Sequence, residues 1–200
     1  ATDFDEIYSE FSLKAAGAQA ARCSQCGVPF CQQGCPLSNN IPDWLKLSAE
    51  GRLEEAWEVS SATNNMPEIC GRICPQDRLC EGICTIEQSG HGTVTIGSVE
   101  KFITDTAWEK GWVKPIVPPR ERAQSAGIIG AVYGIPGFKL EKPVVARRIK
   151  RLEDSGITFK FNTRVGQDVT LQELRKTHDT LLIATGVYQE IGRASCRERV

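Results

Sequence analysis

Apolar residues in the first half of the chain recur at the spacing of amphipathic helices. In residues 41–64 this pattern is interrupted near Gly51, which predicts two short helices. Their apolar positions are Trp44, Leu45, Leu53, Ala56 and Trp57. Residues 95–112 predict a further amphipathic helix, and a shorter pattern within residues 1–22 predicts another near the start. We therefore predict an α-helical first domain over residues 1–115.

The pattern changes from residue 126 onward, where short apolar segments alternate with helical ones. Strands are predicted over residues 126–131, 157–161 and 179–186, the last of them buried, and helices over residues 141–156 and 170–178. Pro143 in the first turn and Gly156 just past the end frame the first of these helices. Alternating strands and helices are typical of an α/β domain with a parallel sheet. We predict an incomplete domain of this kind over residues 126–189, after a Pro-rich linker at residues 116–125.

Charge and hydropathy exclude several classes of function. The chain carries 24 Lys and Arg residues against 25 Asp and Glu residues, so it offers no electrostatic case for binding nucleic acid or an anionic membrane. A membrane-spanning helix needs about 20 consecutive apolar residues, and no apolar run approaches this length. We therefore expect neither nucleic acid nor a membrane among the partners.

The two ends of the chain carry separate information. The first residues, ATDFDEIYSEF, are acidic and lack the basic and apolar segments of a signal peptide, so we expect a cytoplasmic protein. In that reducing compartment, clustered cysteines are metal ligands more often than disulfides. The last segment, EIGRASCRERV at residues 190–200, has no apolar periodicity and resembles a translated sequencing adapter. We expect this tail, with its Cys196, to be non-native.

The other eight cysteines lie in two short segments. The first cysteine segment, CSQCGVPFCQQGCP at residues 23–36, has the spacing C-x2-C-x4-C-x3-C-P. The second, CGRICPQDRLCEGIC at residues 70–84, has the spacing C-x3-C-P-x4-C-x3-C. A zinc site needs two closely spaced ligand pairs, and only Cys23 and Cys26 have the C-x2-C spacing.

Iron–sulfur clusters suit this pattern better than zinc or structural thiols do. Thiolates hold such clusters, and compact cysteine runs that end in Cys-Pro occur in bacterial ferredoxins. Both segments contain this pair, at Cys35–Pro36 and Cys74–Pro75. Since eight thiols can fill the ligand positions of two 4Fe–4S clusters, we predict these as cofactors, with zinc and structural thiols as the alternatives.

A longer set of motifs carries a family resemblance over residues 1–189. Besides the two cysteine segments, it comprises IPDWLKL, TIGSVEKF, GIIGA, YGIPGFKLEK and LLIATGVY. With these motifs the chain resembles the small (β) subunits of bacterial NADPH-dependent glutamate synthases, which are iron–sulfur flavoprotein reductases. Dihydropyrimidine dehydrogenase and the large subunit of the bifurcating ferredoxin–NADP transhydrogenase share the same two-cluster module.

The resemblance implies an oxidoreductase subunit that relays electrons from NADPH and FAD through two 4Fe–4S clusters. Their destination would be the large (α) subunit, which makes glutamate. We expect no catalytic residue here, because the chain has no candidate nucleophile for glutamine hydrolysis or amino transfer. The alternatives are a related two-cluster reductase subunit and a ferredoxin-like electron carrier that docks on a partner without its own flavin.

The resemblance also implies which residues ligate each cluster. The first cluster takes Cys23, Cys26, Cys31 and Cys84. The second takes Cys35, Cys74 and Cys80, and its fourth ligand is implied to be Glu100, with Cys70 as a bystander nearby. Thiolate is the softer and more usual ligand, which favours Cys70 instead. We favour Glu100 and keep both residues as candidates.

The start of the α/β domain lacks the parts that bind a dinucleotide. Such a unit needs a strand, a G-x-G-x-x-G turn that opens a helix, and an acidic residue about 20 positions later. Here GIIGA at residues 127–131 is followed directly by VYGIPGF, without the further glycines or the helix. The resemblance places some thirty residues between these motifs, so we predict an internal deletion between Ala131 and Val132. In the family an NADPH domain also follows ATGVY.

The resemblance implies flavin contacts from the motifs that remain. The implied residues are Gly127, Gly130, Ala131, Tyr133, Gly134, Ile135, Pro136, Ala184, Thr185 and Gly186. The sequence thus predicts a helical two-cluster iron–sulfur domain followed by an incomplete, Rossmann-like FAD domain. Because the phosphate-binding turn is missing, we expect the chain as written to bind no FAD and to oxidise no NADPH. The alternative is a short homologue whose second domain is closed and free of cofactor.

Overall fold

The computed structural model describes residues 9–130, 135 and 137–185. In these ranges the helices are α1 (Leu13–Ala20), α2 (Phe30–Gln33), α3 (Ile41–Ala49), α4 (Leu53–Ser61), α5 (Pro67–Ile73), α6 (Thr85–Gln88), α7 (Ile96–Glu109), α8 (Lys142–Asp154) and α9 (Leu171–Thr177). A 3-10 turn covers Gln76–Arg78, and the strands are β1 (Ala126–Gly130) and β2 (Thr180–Ala184). The chain divides into two compact units between Lys114 and Pro115, and residues 137–144 group with the first unit.

Helices α3 and α4 form a pair because Gly51 breaks the chain between them. Gly51 has a φ of +76°, a left-handed conformation that glycine adopts without strain just past the end of α3. Trp44 and Leu45 of α3 and Ala56 of α4 are then buried in one core, each at most 1% exposed. The two helices predicted over residues 41–64 are confirmed.

Helix α7 packs on α1, α3, α4 and α5 and so connects most of the first unit. Ile96, Val99 and Ile103 recur at helical spacing and are buried in the same core as Trp44 and Leu45. The amphipathic helix predicted in residues 95–112 is confirmed. The first unit therefore has the predicted α-helical class.

Helices α5 and α7 approach each other closely at Gly71. A Cβ atom at this position would lie 2.8 Å from the backbone nitrogen of Lys101 and 3.0 Å from the carbonyl oxygen of Gly97. An ion pair joins the same two helices, because Arg72 of α5, 3% exposed, lies 2.8 Å from the carboxylate of Asp105 on α7. The missing side chain at Gly71 therefore sets the distance between these helices.

We expect Gly71→Ala to destabilise the protein by about 1–3 kcal/mol, because the added methyl group meets backbone atoms that cannot move aside. Gly17→Ala is the matched control: Gly17 also lies within a helix, but its nearest atom for a new Cβ is the Ser48 carbonyl oxygen at 3.9 Å. That control should be neutral or stabilising by up to about 1 kcal/mol. Urea unfolding followed by circular dichroism measures both changes, and equal stability of the two variants would contradict the prediction.

The second unit contains a two-stranded parallel sheet. Strand β1 pairs with β2 from Ala126↔Thr180 to Gly130↔Ala184, as the α/β pattern predicted. Helix α9 begins with a reciprocal capping box, in which the Thr170 side chain accepts from the Glu173 backbone and the Glu173 side chain accepts from the Thr170 backbone. Among the described residues, no helix combines the length and the apolar character that crossing a membrane requires.

Two predictions about strands are wrong. Strand β2 was expected to be buried, but Leu182 and Ile183 are 56% and 64% exposed. A parallel strand is buried where helices cover both faces and other strands flank it, and the described sheet contains only β1 beside β2. Residues 157–161 form no strand, because this two-stranded sheet offers their backbone no partner. The rings of Phe159 and Phe161 instead stack with their centroids 5.5 Å apart.

Candidate metal centre

The eight cysteines of the two segments are all free of disulfides and partly buried. The structure sorts them into two sites, which do not coincide with the two segments. We call one the four-thiol site, formed by Cys23, Cys26, Cys31 and Cys84, and the other the mixed site, formed by Cys35, Cys70, Cys74, Cys80 and Glu100. Within the described ranges, neither of these sets nor any other group of three or more His, Cys, Asp or Glu side chains is arranged to hold a single metal ion.

The four-thiol site is an apolar pocket against the helical core. Its other walls include Phe30, Pro42, Leu45, Val94 and Ile96. Burial raises the pKa of Cys31 to about 11, and the neighbouring sulfurs of the site act in the same direction. Burial also raises the pKa of Cys23. At neutral pH these thiols therefore keep their protons until a metal centre displaces them.

Two polar side chains, one from a loop and one from the start of α6, contact the sulfurs of the four-thiol site. Gln25, which has a φ of +50°, donates from Nε2 to Cys23 Sγ at 3.3 Å and to the Pro42 carbonyl oxygen at 2.8 Å. Cys26 Sγ lies 3.5 Å from the hydroxyl oxygen of Thr85. Sequence reasoning missed Gln25, because a left-handed glutamine has no sequence signature, and Thr85, because it lies 59 residues from Cys26 in the chain.

Arg22 ties the start of the first cysteine segment to the loop before α7. Its guanidinium donates to the carbonyl oxygens of His91 at 2.9 Å, Gly92 at 2.5 Å and Thr93 at 2.8 Å. Three acceptors around one guanidinium fix both its position and that of the loop. Since Cys23 follows Arg22 directly, these contacts determine where the first thiol lies after α1 ends.

The mixed site draws its thiols from three places. Cys35 lies just after α2, Cys74 ends α5, and Cys80 lies in the turn after the 3-10 helix. Glu100, Cys80 and Cys35 lie near the Cys74 sulfur and act to raise its pKa. Burial raises the pKa of Cys80 to about 12, and the nearby Glu81 and Glu100 carboxylates act in the same direction.

Glu100 and Cys70 lie side by side in the mixed site. The Glu100 side chain is on α7, is 8% exposed, and accepts at Oε1 from Asn64 Nδ2 at 3.1 Å and from Ser60 Oγ at 3.5 Å. Burial, reinforced by the Cys70 sulfur, raises the pKa of Glu100 to about 8. The Cys70 thiol hydrogen-bonds to Cys74, which raises the pKa of Cys70 and lowers that of Cys74.

Glu81 fixes the start of α7 beside the mixed site. Its Oε1 accepts from the Gly97 backbone N–H at 2.9 Å and so satisfies one of the free donors at the helix N-terminus. Burial raises the pKa of Glu81, while hydrogen bonds from the Gly97 and Ile96 backbone oppose the shift. Because Glu81 follows Cys80 directly, this contact connects Cys80 to the helix that carries Glu100.

The two cysteine segments contact each other at Gly34 and Ile83. A Cβ atom at Gly34 would lie only 2.1 Å from Cδ1 of Ile83, so the absence of a side chain permits this contact. Gly34 directly precedes Cys35 and Ile83 directly precedes Cys84. At this contact the segments therefore exchange residues: Cys35 of the first segment joins the mixed site, and Cys84 of the second joins the four-thiol site.

The residues predicted to contact flavin are described only in part. Gly127 and Gly130 lie on β1, and Gly130 is the register partner of Ala184 on β2. A Cβ atom at Gly127 would lie 2.7 Å from Leu181 and 2.8 Å from His178, so this glycine permits packing inside the second unit. Ile135 and Thr185 are half-buried, whereas Ala131, Tyr133, Gly134, Pro136 and Gly186 lie outside the described residues.

Comparison with protein families assigns the class of the first unit. The family model of dihydropyrimidine dehydrogenase domain II, 4Fe-4S cluster, matches residues 1–112. The match covers more than half of the chain, and the chain belongs to this family. The prediction of iron–sulfur clusters from the cysteine spacing is therefore confirmed.

Comparison with curated proteins shows which members of this family the chain is similar to. The chain is 60% identical to the glutamate synthase [NADPH] small chain of Azospirillum brasilense, with 94% of this chain and 45% of the relative covered. It is 42% identical to the protein of the same name from Escherichia coli, with 94% and 46% covered. The corresponding Bacillus subtilis protein is 36% identical, with 94% and 46% covered. The resemblance to glutamate synthase small subunits is confirmed, and the chain spans about half the length of these relatives.

The alignments also contain positions that this chain lacks. The alignment with the Azospirillum protein runs over 218 positions, whereas 94% of a 200-residue chain is 188 residues. The difference of about 30 positions recurs with the Escherichia coli protein, whose alignment runs over 220 positions for the same 94%. Its size agrees with the internal deletion predicted between Ala131 and Val132.

Proposed function

We propose that the chain is part of an electron-transfer subunit of an NADPH-dependent glutamate synthase. In the whole subunit, electrons from NADPH and FAD pass through two 4Fe–4S clusters to the large (α) subunit for glutamate biosynthesis. The observation that carries the proposal is the sorting of eight cysteines and Glu100 into two adjacent donor sets. The similarity to small chains named for this activity supports the choice of reaction.

The donor chemistry fits two cubane clusters. Such a cluster keeps its ligand sulfurs about 6–7 Å apart, much further than the ligands of one metal ion. The four-thiol site would hold one cluster with Cys23, Cys26, Cys31 and Cys84. The mixed site would hold the other with Cys35, Cys74, Cys80 and a fourth ligand. A bound cluster supplies one-electron transfer, and the residues of this chain position it and exclude water.

Glu100 is the favoured fourth ligand of the mixed site. Its carboxylate is almost fully buried, and hydrogen bonds from Asn64 and Ser60 hold it in place. A buried carboxylate with so few donors retains lone pairs for a metal, and a nearby cation offsets the cost of its burial. The Cys70 thiol instead contacts Cys74 and the Asn64 side-chain oxygen. An oxygen ligand in one cluster only would separate the reduction potentials of the two clusters.

The second unit would belong to a Rossmann-like FAD domain. The parallel pairing of β1 with β2, and helices α8 and α9 between them in sequence, support this class. Gly130 and Ala184 sit at the carboxyl ends of adjacent parallel strands, the edge at which such domains bind ligands. The proposed site of action is the cytoplasm, and the proposed partner is the large glutamate synthase subunit.

Electron delivery to that partner tests the proposed function. The chain is first loaded with iron and sulfide, reduced chemically and freed of reductant. It is then mixed anaerobically with the large subunit that pairs with the Azospirillum small chain. We expect addition of glutamine and 2-oxoglutarate to reoxidise the clusters, measured as recovery of their visible absorbance, with glutamate formed. Protein without clusters is the control. Clusters that load fully and stay reduced in this mixture would overturn the proposal.

A related reductase is the second candidate function. The matching family model is named for dihydropyrimidine dehydrogenase, and the alternative is that this module serves a pyrimidine reductase. Reoxidation of the reduced clusters by that enzyme's flavin-containing part, and not by the glutamate synthase large subunit, would identify this alternative.

A further inference from the structure

Asn64 contacts both candidates for the fourth ligand of the mixed site. It lies between α4 and α5, 4% exposed, with its side-chain amide inside the unit. Its Nδ2 donates to Oε1 of Glu100 at 3.1 Å, and its Oδ1 lies 3.6 Å from Sγ of Cys70. One amide therefore separates the carboxylate from the thiol.

A third contact fixes which end of the amide faces which ligand. The backbone N–H of Met66 donates to Oδ1 of Asn64 at 3.0 Å. A backbone N–H can only donate, so the atom opposite it must be the amide oxygen and not the nitrogen. The NH₂ end then faces Glu100, to which it donates, and the oxygen, already satisfied by the Met66 N–H, faces Cys70.

We propose that Asn64 is a positioning residue that selects Glu100 over Cys70 as the fourth ligand of the mixed site. Its NH₂ group holds the Glu100 carboxylate as an acceptor, and its oxygen faces the Cys70 sulfur, so the amide lies between the two candidate ligands and binds only the carboxylate by donation. The inference rests on the proposed cluster in the mixed site. The inference gives a role to Asn64, which contacts none of the cysteines in the proposed ligand set.

Asn64→Asp tests this role with the smallest change of shape. The original oxygen still accepts from the Met66 N–H, but the oxygen that replaces the NH₂ group faces the Glu100 carboxylate without a donor, so the two acceptors repel each other. We expect Cys70 to replace Glu100 as ligand. In the full chain with both clusters, the electron paramagnetic resonance signal and midpoint potential of the second cluster should shift, and those of the first should not. X-ray absorption should show loss of the iron–oxygen contribution.

Combined variants distinguish a change of ligand from a general destabilisation of the protein. In the Asn64→Asp background, Cys70→Ala should cost about half of the iron, since one of two cubanes is lost, whereas Cys70→Ala alone should cost none. Asn39→Asp is the matched control: Asn39 is also buried, at 3% exposure, but bonds to Trp44 and the Ser60 carbonyl. Because the contacts of Asn39 are with neither candidate ligand, this control should retain the iron–oxygen contribution. If Asn64→Asp does not fold, Asn64→Ser removes both contacts without adding charge and should give the same signature.

Two results would overturn the inference and leave the proposed function intact. One is an Asn64→Asp and Asn64→Ser pair with full iron content and unshifted second-cluster signals. The other is loss of the second cluster from Cys70→Ala alone, which would make Cys70 the ligand in the unchanged protein. Failure of the proposed function looks different, because the unchanged chain would then hold fewer than two clusters or would not deliver electrons to the large subunit.

Discussion

Removal of both clusters is expected to abolish most of the helical circular dichroism of the first unit. Several cysteines pack directly against the buried core that includes Trp44 and Ile103, so the sites and the core form one structure. The cysteines in contact with it are Cys23, Cys31, Cys35, Cys80 and Cys84. Helices α2 and α6 have four residues each, and isolated helices shorter than about 12 residues are marginal in water. Ligation therefore contributes much of the folding free energy.

The measurement compares the loaded chain with the same chain after treatment with a chelator under reducing conditions. The loss should be reversed when iron and sulfide are restored, which controls for damage during the treatment. Retention of a cooperative thermal transition near that of the loaded protein would show that the apolar core of α3, α4 and α7 is sufficient by itself. In that case the fold of the first unit would form without the clusters.

The unmodified chain is expected to bind no FAD and to oxidise no NADPH. The pyrophosphate of a dinucleotide is held by several backbone amides at one helix start, and GIIGA is followed by no such turn. Hydrogen bonds to a charged group contribute roughly 1.5–3 kcal/mol each. The loss of three or four of them weakens binding by several orders of magnitude.

The test inserts about 30 residues of the Azospirillum relative between Ala131 and Val132, the number of positions by which the alignment exceeds this chain. The insertion should improve flavin binding, measured by absorbance near 450 nm and by fluorescence quenching, although NADPH oxidation would still require the nucleotide domain. An insertion of equal length and flexible composition is the control. Stoichiometric FAD in the unmodified chain would refute the deletion.

The helices of the core are predictable because their signals are local. Trp44, Leu45 and Ala56 repeat at helical spacing, and Gly51 marks the break with a conformation that few other residues adopt easily. Helix α5 has a weaker signal: Pro67 and Glu68 suit a first helical turn, but its seven residues are too few for an apolar period to repeat and include a glycine. It forms because Gly71 lets it pack closely on α7, a contact between residues distant in sequence.

Residues 157–161 show the opposite error, since a strand was predicted there and none forms. Ile157, Phe159 and Phe161 alternate with polar residues as in a strand, but a strand also requires a partner for its backbone, which one segment cannot report. Ile157 and Phe161 are instead 49% and 48% exposed. The two donor sets were also predictable only in part. Cysteine spacing predicts the type of cofactor, whereas the hydrogen bonds of Asn64 to Glu100 and of Gln25 to Cys23 depend on loops that only the folded chain brings together.

The exchange of Cys35 and Cys84 between the two segments has a consequence for synthesis on the ribosome. The four-thiol site lacks a ligand until Cys84 has emerged, and the mixed site, in the proposed ligand set, lacks one until Glu100 has emerged. A nascent chain that ends between the two segments therefore offers the four thiols of the first segment and no complete site. Iron and sulfide can complete the four-thiol site only after Cys84 has emerged and the mixed site only after Glu100 has emerged, and a stop before Cys84 yields a product that lacks a ligand for both proposed clusters.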